Sequence, residues 1–309
     1  MNDQTHAYPI GTPGVPWTAA EKKTWRNQQK VQRSYANDVL SVIDRLRDHY
    51  AVIEYGHLDY SPSAYPLFAI KSPGWRNDLP IALVTGGVHG YETSGVYGAL
   101  RFAEQYLDDY RGKLNILVAP CVSPWGYETI QRWNPDAIDP NRSFKPKGQA
   151  EEAQALIRLV APIRDRILVH IDLHEATESD ATEYFPALAA RDGTKYIPLI
   201  IPDGFYIIGD TGARRIDFLK AIIDAVSKFT HIAPMDERGE IVGAPALADG
   251  IAQSSSKTHG FCSGITDAKF RATSEIYPDG PRADGEQCIR AQVTAVRAAI
   301  DFALANQAT

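Results

Sequence analysis

The sequence predicts an α/β fold: three α/β/α layers around a central mixed, mostly parallel twisted sheet. Three observations point there. The short runs "PLFAIK", "IALVTG", "LNILVAP" and "ILVHIDL" are nearly continuous in apolar residues, as strands covered on both faces are. Segments of helical period separate several of these runs, the alternation that builds a largely parallel sheet between helical layers. A last segment repeats apolar residues at Ile289, Val293, Val296, Ile300 and Ala303, which is an amphipathic helix closing the fold.

In chain order, residues 1–17 form an arm punctuated by Pro and Gly, and residues 18–50 read as helical. Strands follow at "AVIEYG", "PLFAIK" and "IALVTG". A helix from Ser94 to Tyr110 carries Val96, Tyr97, Leu100, Ala103 and Leu107 on one stripe. After "LNILVAP" a helix is expected from Gln149 to Arg164, then the strand "ILVHIDL", then a helix from Thr211 to Phe229. Glu275 ends a further strand, and the closing helix runs from Gly285 to Asn306. No repeat, linker or low-complexity segment divides the 309 residues, so a single domain over 1–309 is expected.

Composition excludes several classes. With 44% hydrophobic and 23% charged residues the chain is an ordinary globular protein. A formal charge of −6 gives no footprint for nucleic acid or anionic lipid. No apolar run approaches the ~20 residues that cross a bilayer. Neither a basic start nor an apolar core marks the first residues as a secretory signal. Cys121, Cys262 and Cys288 are odd in number and widely spread, so neither a disulfide framework nor a thiolate metal site is suggested; a reducing cytoplasm is the expected setting.

In open α/β sheets a ligand sits outside the carboxyl ends of the strands. His89 and Glu92 follow the strand "IALVTG", across two glycines that let the chain turn sharply. His174 closes "ILVHIDLH". Asn141 and Arg142 come from the long loop after "LNILVAP", in "IDPNRSF". With Glu275, these residues come from four separate places to one edge of the sheet. Catalytic zinc takes three His or Asp/Glu ligands and leaves a position for water. Taken alone, His-x-x-Glu is as often a turn pair, and His174 as often a strand-end histidine bonded to backbone. His170, four residues earlier in the same strand, is the minor candidate for a ligand, but it sits deep in the strand. Glu at position 178 rules out His-Glu-x-x-His.

Together, "GGVHGYETSG", "DPNRSF", "DLHE" and "TSE" resemble the zinc carboxypeptidase (funnelin) family, in the same order and over about three-quarters of the chain. The resemblance implies a compact bacterial-type member with the zinc carboxypeptidase-like fold. It implies one zinc per chain on His89, Glu92 and His174, with Glu275 as general base. It further implies Asn141 and Arg142 as the holders of a terminal carboxylate, Arg132 as the guanidinium that polarises the scissile carbonyl, and Asp139 as the carboxylate that orients a ligating histidine. The function implied is a metallocarboxypeptidase that hydrolyses a C-terminal amide bond with zinc-activated water.

The chemistry asks for the same residue types. A carboxylate in a partly desolvated cleft can take a proton from water and return it to the leaving amine. A planar Arg fork suits capture of a carboxylate. Competing accounts exist: Asp139–Pro140 as a turn initiator, Arg132 as a solvated loop residue, and Glu275 in a structural salt bridge with Arg271.

The runner-up is a zinc-dependent N-acyl amino acid deacylase, like the related aspartoacylase/succinylglutamate desuccinylase group, or a cell-wall peptide amidase. The short gap from Glu92 to His174 is closer to the deacylases. Against them, only a turn and one helix follow Glu275, where those enzymes typically carry a β-rich domain. One departure from the carboxypeptidase pattern concerns a mobile tyrosine expected about twenty residues before the catalytic Glu. Between Tyr206 and Tyr277 there is no tyrosine, and the stretch "ADGIAQSSSKTHGFCSGI" reads as a flexible lid, in which His259 is more readily a plain solvent-exposed loop histidine than a substitute substrate contact. A serine-hydrolase reading of Ser254-x-x-Lys257 lacks its partner motifs. The expected partner is a peptide or small amide with a free carboxylate.

Overall fold

The computed structural model describes residues 8–307; residues 1–7 of the expected arm lie outside the described residues. Ten strands form one sheet: β1 (Ala51–Tyr60), β2 (Ser63–Lys71), β3 (Ile81–Gly86), β4 (Asn115–Ala119), β5 (Ile167–Leu173), β6 (Phe205–Asp210), β7 (Glu240–Ile241), β8 (Ala244–Ala248), β9 (Ile251–Ser254) and β10 (Phe270–Ile276). The α-helices are α1 (Ala19–Gln28), α2 (Ser41–Leu46), α3 (Thr93–Tyr106), α4 (Pro124–Thr129), α5 (Glu151–Val160), α6 (Phe185–Asp192), α7 (Ile216–Val226), α8 (Ser256–His259) and α9 (Gly285–Ala305). None is long and apolar enough to cross a membrane.

The strand order is β1-β2-β4-β3-β5-β10-β6-β9-β8-β7. The three-layer mixed sheet is as expected, but "mostly parallel" describes only its centre. The pairs β3–β4, β3–β5 and β5–β10 are parallel, as is β6–β9, whereas the other five are antiparallel. The reason is local for β1–β2 and β8–β9. Each pair is joined by two residues, a connection that only antiparallel strands can make.

Alternation along the central strands divides the core. Ala82, Val84, Val169 and Ile171 pack with α3 and α9 on one face, and Ile81, Leu83 and Leu117 pack with Ala153, Leu156 and Val160 of α5 on the other. These residues are buried, and a Val, Leu or Ile so placed contributes roughly 1.5–3 kcal/mol. The runs lack alternation because both faces are covered.

Two glycines end β3. A Cβ at Gly86 would lie 2.4 Å from the Gly95 carbonyl oxygen. Gly87 has φ +60°, and its Cβ would lie 2.7 Å from Val96 Cγ2. Only glycine lets α3 pack this close to the strand end while the chain turns into His89.

The helical reading of residues 18–50 is broken after α1. The Gln32 and Arg33 amides donate to the Glu128 carbonyl (2.7 and 3.2 Å) and the Tyr35 amide to Glu128 Oε1 (2.9 Å), so tertiary bonds replace the helical ones. The helix expected from Thr211 begins only at Ile216, because the Gly212 amide folds back onto Asp210 Oδ1 (2.7 Å).

Under α5, the buried Glu152 carboxyl accepts from the Tyr60 hydroxyl (2.8 Å), and burial pushes it up to about 7. A carboxyl raised in the folded state stabilises below its unfolded value, near 4.5, and that contribution is lost as pH rises through about 7. Glu152→Gln is therefore expected to gain stability relative to wild type on going from pH 5 to pH 8, read as urea midpoints at both values. An equal shift at the two pH values would contradict a raised Glu152.

Candidate metal centre and active site

The carboxyl ends of β3, β5 and β10 place His89–Glu92, His174 and Glu275 beside one another. Register sets part of this: Gly86 pairs with Leu173 and Ser274 with Leu173, and the His174 amide donates to the Ser274 carbonyl (2.8 Å). The next residue, Glu175, reaches across to the first turn of α3. Its oxygens accept from the Thr93 and Ser94 amides (2.9 and 2.8 Å), which ties the turn carrying His89 and Glu92 to the end of β5.

His89 Nδ1 lies 2.7 Å from Glu92 Oε1, and His174 Nδ1 lies 2.8 Å from Glu92 Oε2. The ligating atoms of the three residues fall within 4.8 Å of one another, and all three side chains are buried. The second contact lacks hydrogen-bond alignment, so Glu92 Oε2 is a buried oxygen with no hydrogen-bond partner. A buried carboxylate oxygen left without a hydrogen bond while it faces the His174 imidazole nitrogen, its twin facing His89, fits a shared cation better than a hydrogen-bonded network. The donor set, two nitrogens and a carboxylate, suits zinc with an open position.

Each imidazole is oriented from behind. His89 Nε2 lies 3.1 Å from Asp139 Oδ1 and His174 Nε2 lies 2.7 Å from Asp172 Oδ2. Partners of this kind fix which nitrogen faces a metal. Burial works against the Glu92 charge, yet His174 and His89 pull it down to about 2. Burial likewise opposes charge on His174, but Glu92 and Asp172 hold it well above the ordinary imidazole range. Asp139 is buried too, and Arg132, then His89, keep it well below the usual carboxylate range. His170, the minor ligand candidate, lies outside the cluster. It packs deeper in the sheet between hydroxyls, and burial lowers it to about 4.

Glu275 faces a cavity of about 650 Å³ that His89, Arg132, Asn141 and Arg142 also line. Burial pushes its carboxyl up to about 8, with His174 pulling the other way. A cation on the neighbouring ligands favours the ionised, basic form. Arg271 is not its partner; that guanidinium binds Asp210 (2.8 Å).

Arg132 is 15% exposed rather than solvated. Its Nε donates to Asp139 Oδ2 (3.2 Å), its Nη1 to the Tyr91 hydroxyl (3.2 Å) and to Asp180 Oδ1 (3.3 Å), and it lies over the Tyr184 ring at 4.2 Å. Asn141 Oδ1 accepts from the Cys262 amide (2.8 Å), which directs its NH₂ elsewhere. Arg142 is bonded to the Asn141 carbonyl (2.8 Å) and lies over the Phe261 ring. The stretch read as a lid carries β9, α8 and a 3₁₀ turn instead of a bare loop. His259 stacks on Phe261 and lines the cavity, and Tyr206, opposite Glu275 in register, forms another wall.

Comparison with known proteins follows the same lines. Residues 78–198 match the model of the succinylglutamate desuccinylase/aspartoacylase catalytic domain. A Shewanella amazonensis SB2B protein, provisionally named a metallopeptidase, superposes with TM-score 0.66 at 20% identity over 89% of this chain and 98% of its own. Carboxypeptidase A of Helicoverpa armigera gives 0.56 at 14% identity, over 90% and 74%. This chain has the carboxypeptidase fold, and its residues 78–198 are similar to the aspartoacylase-group catalytic domain. A metallo-carboxypeptidase from Burkholderia cenocepacia shares the fold at TM-score 0.58 and 12% identity, over 87% of this chain and 68% of its own. No curated protein matches by sequence.

Sequence reasoning missed Asp172 and the Tyr91–Asp180–Tyr184 cradle of Arg132. For Asp172 a signal existed: an acidic residue alternating with His170 and His174 in an otherwise apolar strand needs a buried partner. The cradle left no signal, since its members come together only through the fold.

Proposed function

We propose that this protein is a zinc-dependent metallocarboxypeptidase, a single catalytic domain that cleaves the amide bond next to a free carboxylate. The observation carrying this reading is the shared cavity: His89 and Glu275 line it together with Asn141 and Arg142. A general base, a metal site and a carboxylate clamp on one cavity are what an enzyme reading chain ends requires.

His89, Glu92 and His174 would hold one zinc, which supplies Lewis-acid polarisation and lowers the pKa of water towards ~7. Glu275 takes the proton of the attacking water and passes it to the departing amine. The Asn141 NH₂ and the Arg142 guanidinium hold the substrate carboxylate, which fixes the distance from chain end to reacting carbonyl. Arg132 faces the carbonyl oxygen as charge builds on it; one such donor is worth roughly 3–4 kcal/mol. Its remaining donors, fixed by Asp139 and Asp180, set its direction beforehand.

A second reading, hydrolysis of an N-acyl amino acid, is favoured by the match of residues 78–198. The same residues serve it, because the released amino acid carries the carboxylate.

Arg142→Ala is expected to abolish preference for free carboxylate ends, measured as kcat/KM on a peptide and its C-terminal amide. Undiminished preference would remove Arg142 from recognition.

A further inference from the structure

Behind His174 the sheet carries a row of polar side chains that the proposed reaction does not use. Asp172 Oδ2 faces His174 Nε2 at 2.7 Å, and Asp172 Oδ1 accepts from the Thr85 hydroxyl at 2.6 Å. Thr85 Oγ1 lies 3.1 Å from His170 Nε2, and His170 Nδ1 lies 3.4 Å from Thr266 Oγ1. Thr85, His170, Asp172 and Thr266 are fully buried, so their polar atoms find partners within the protein or not at all. Thr85 on β3 stands opposite Asp172 on β5 in the ladder, which makes the row a product of sheet register rather than of a loop.

The protons along this row can be counted. A threonine hydroxyl has one proton to donate. At 2.6 Å from a carboxylate that carries negative charge, that proton goes to Asp172. The lone pairs of Thr85 then face the Cys262 thiol, which donates at 3.6 Å, and His170 Nε2, which must therefore bear a proton. A neutral ring leaves Nδ1 as the acceptor for the Thr266 hydroxyl. At the other end, Asp172 Oδ2 accepts from His174 Nε2, so in the neutral ring that a metal requires the Nδ1 lone pair is left on the side of Glu92. Each link fixes the proton of the next.

We propose that Thr85 and His170 are positioning residues for the metal: through Asp172 they lock His174 in the tautomer and ring orientation that present Nδ1 to the ion. This rests on the reading of His89, Glu92 and His174 as ligands. Thr85→Val keeps the shape and removes the hydroxyl, which leaves Asp172 free to turn and His170 without an acceptor.

The zinc dissociation constant, from competition with a chromophoric chelator, is expected to rise about 10–100-fold in Thr85→Val, the range for outer partners of ligating histidines. Thr85→Ser, which restores the hydroxyl, should return to the wild-type value. Nitrogen NMR on zinc-loaded wild type, labelled at histidine, should show His170 protonated on Nε2 and bare on Nδ1; this reading needs no variant to fold. An unchanged constant in Thr85→Val overturns the proposal while leaving the ligands in place. So does a His170 protonated on Nδ1. A wild-type protein that binds no zinc overturns the ligand reading, and this proposal with it.

Discussion

Glu275→Gln is expected to keep its zinc and to lose ~10²–10⁴-fold in kcat, the usual yield of general acid–base catalysis. The substitution is nearly isosteric, and the Glu275 carboxyl is not among the three clustered ligands, so the metal has no reason to leave. What disappears is the proton acceptor. Burial raises the Glu275 carboxyl well above an exposed glutamate and a cation on the neighbouring ligands pulls it back towards the ionised form, opposing effects that tune a carboxylate for proton transfer close to neutrality. Because Arg271 is engaged by Asp210, no structural ion pair is lost with the carboxylate. Zinc content and single-turnover rate, measured on the same preparation, separate the two contributions. A variant with zinc and an unreduced rate would take Glu275 out of the mechanism.

Glu92→Gln should remove the metal itself. In the folded protein the Glu92 carboxylate sits between two imidazoles with one oxygen unpartnered. An amide there offers one neutral oxygen and turns an NH₂ towards one of the nitrogens, which repels the cation and competes for its ligand. Zinc content is expected to fall to background, and hydrolysis with it. A stability readout tests the same point without substrate. Zinc at a thousand times its dissociation constant stabilises a folded protein by about 4 kcal/mol. The wild-type melting temperature should therefore rise with zinc, whereas that of Glu92→Gln should not. A variant melting curve that still responds to zinc like wild type would mean that the ion sits elsewhere.

The fold was legible where one physical signal dominated. "IALVTG" and "ILVHIDL" coincide with β3 and β5 because burial on both faces leaves an unbroken apolar run. The strands β6 to β9 were not anticipated. Gly209 interrupts β6 after four residues, β8 is Ala-rich, β9 has four residues and β7 two, so none carries a sustained strand pattern. Antiparallel edges follow from hairpins that a run-by-run reading does not see. At the site, His89, Glu92 and His174 come together as expected because strand ends converge on one edge of a sheet. Asp139 lies against His89, holds Arg132 and accepts from the Asn141 amide, so the contacts of a turn initiator and those the orienting role requires meet in one side chain. The supports of Arg132 come from residues 91, 139, 180 and 184, and the row behind His174 from two strands and a loop. Such contacts are set by packing, and no local spacing announces them.

The most direct test of the account is release of the C-terminal residue from blocked dipeptides by zinc-loaded wild-type protein. Blocked dipeptides with free carboxylates, γ-linked cell-wall peptides and N-acyl amino acids form the panel, assayed with zinc, with chelator, and with zinc restored. The account predicts hydrolysis of a carboxylate-bearing amide, lost on chelation and regained with zinc. Zinc-loaded protein that cleaves none of them, or cleavage indifferent to chelation, would contradict it.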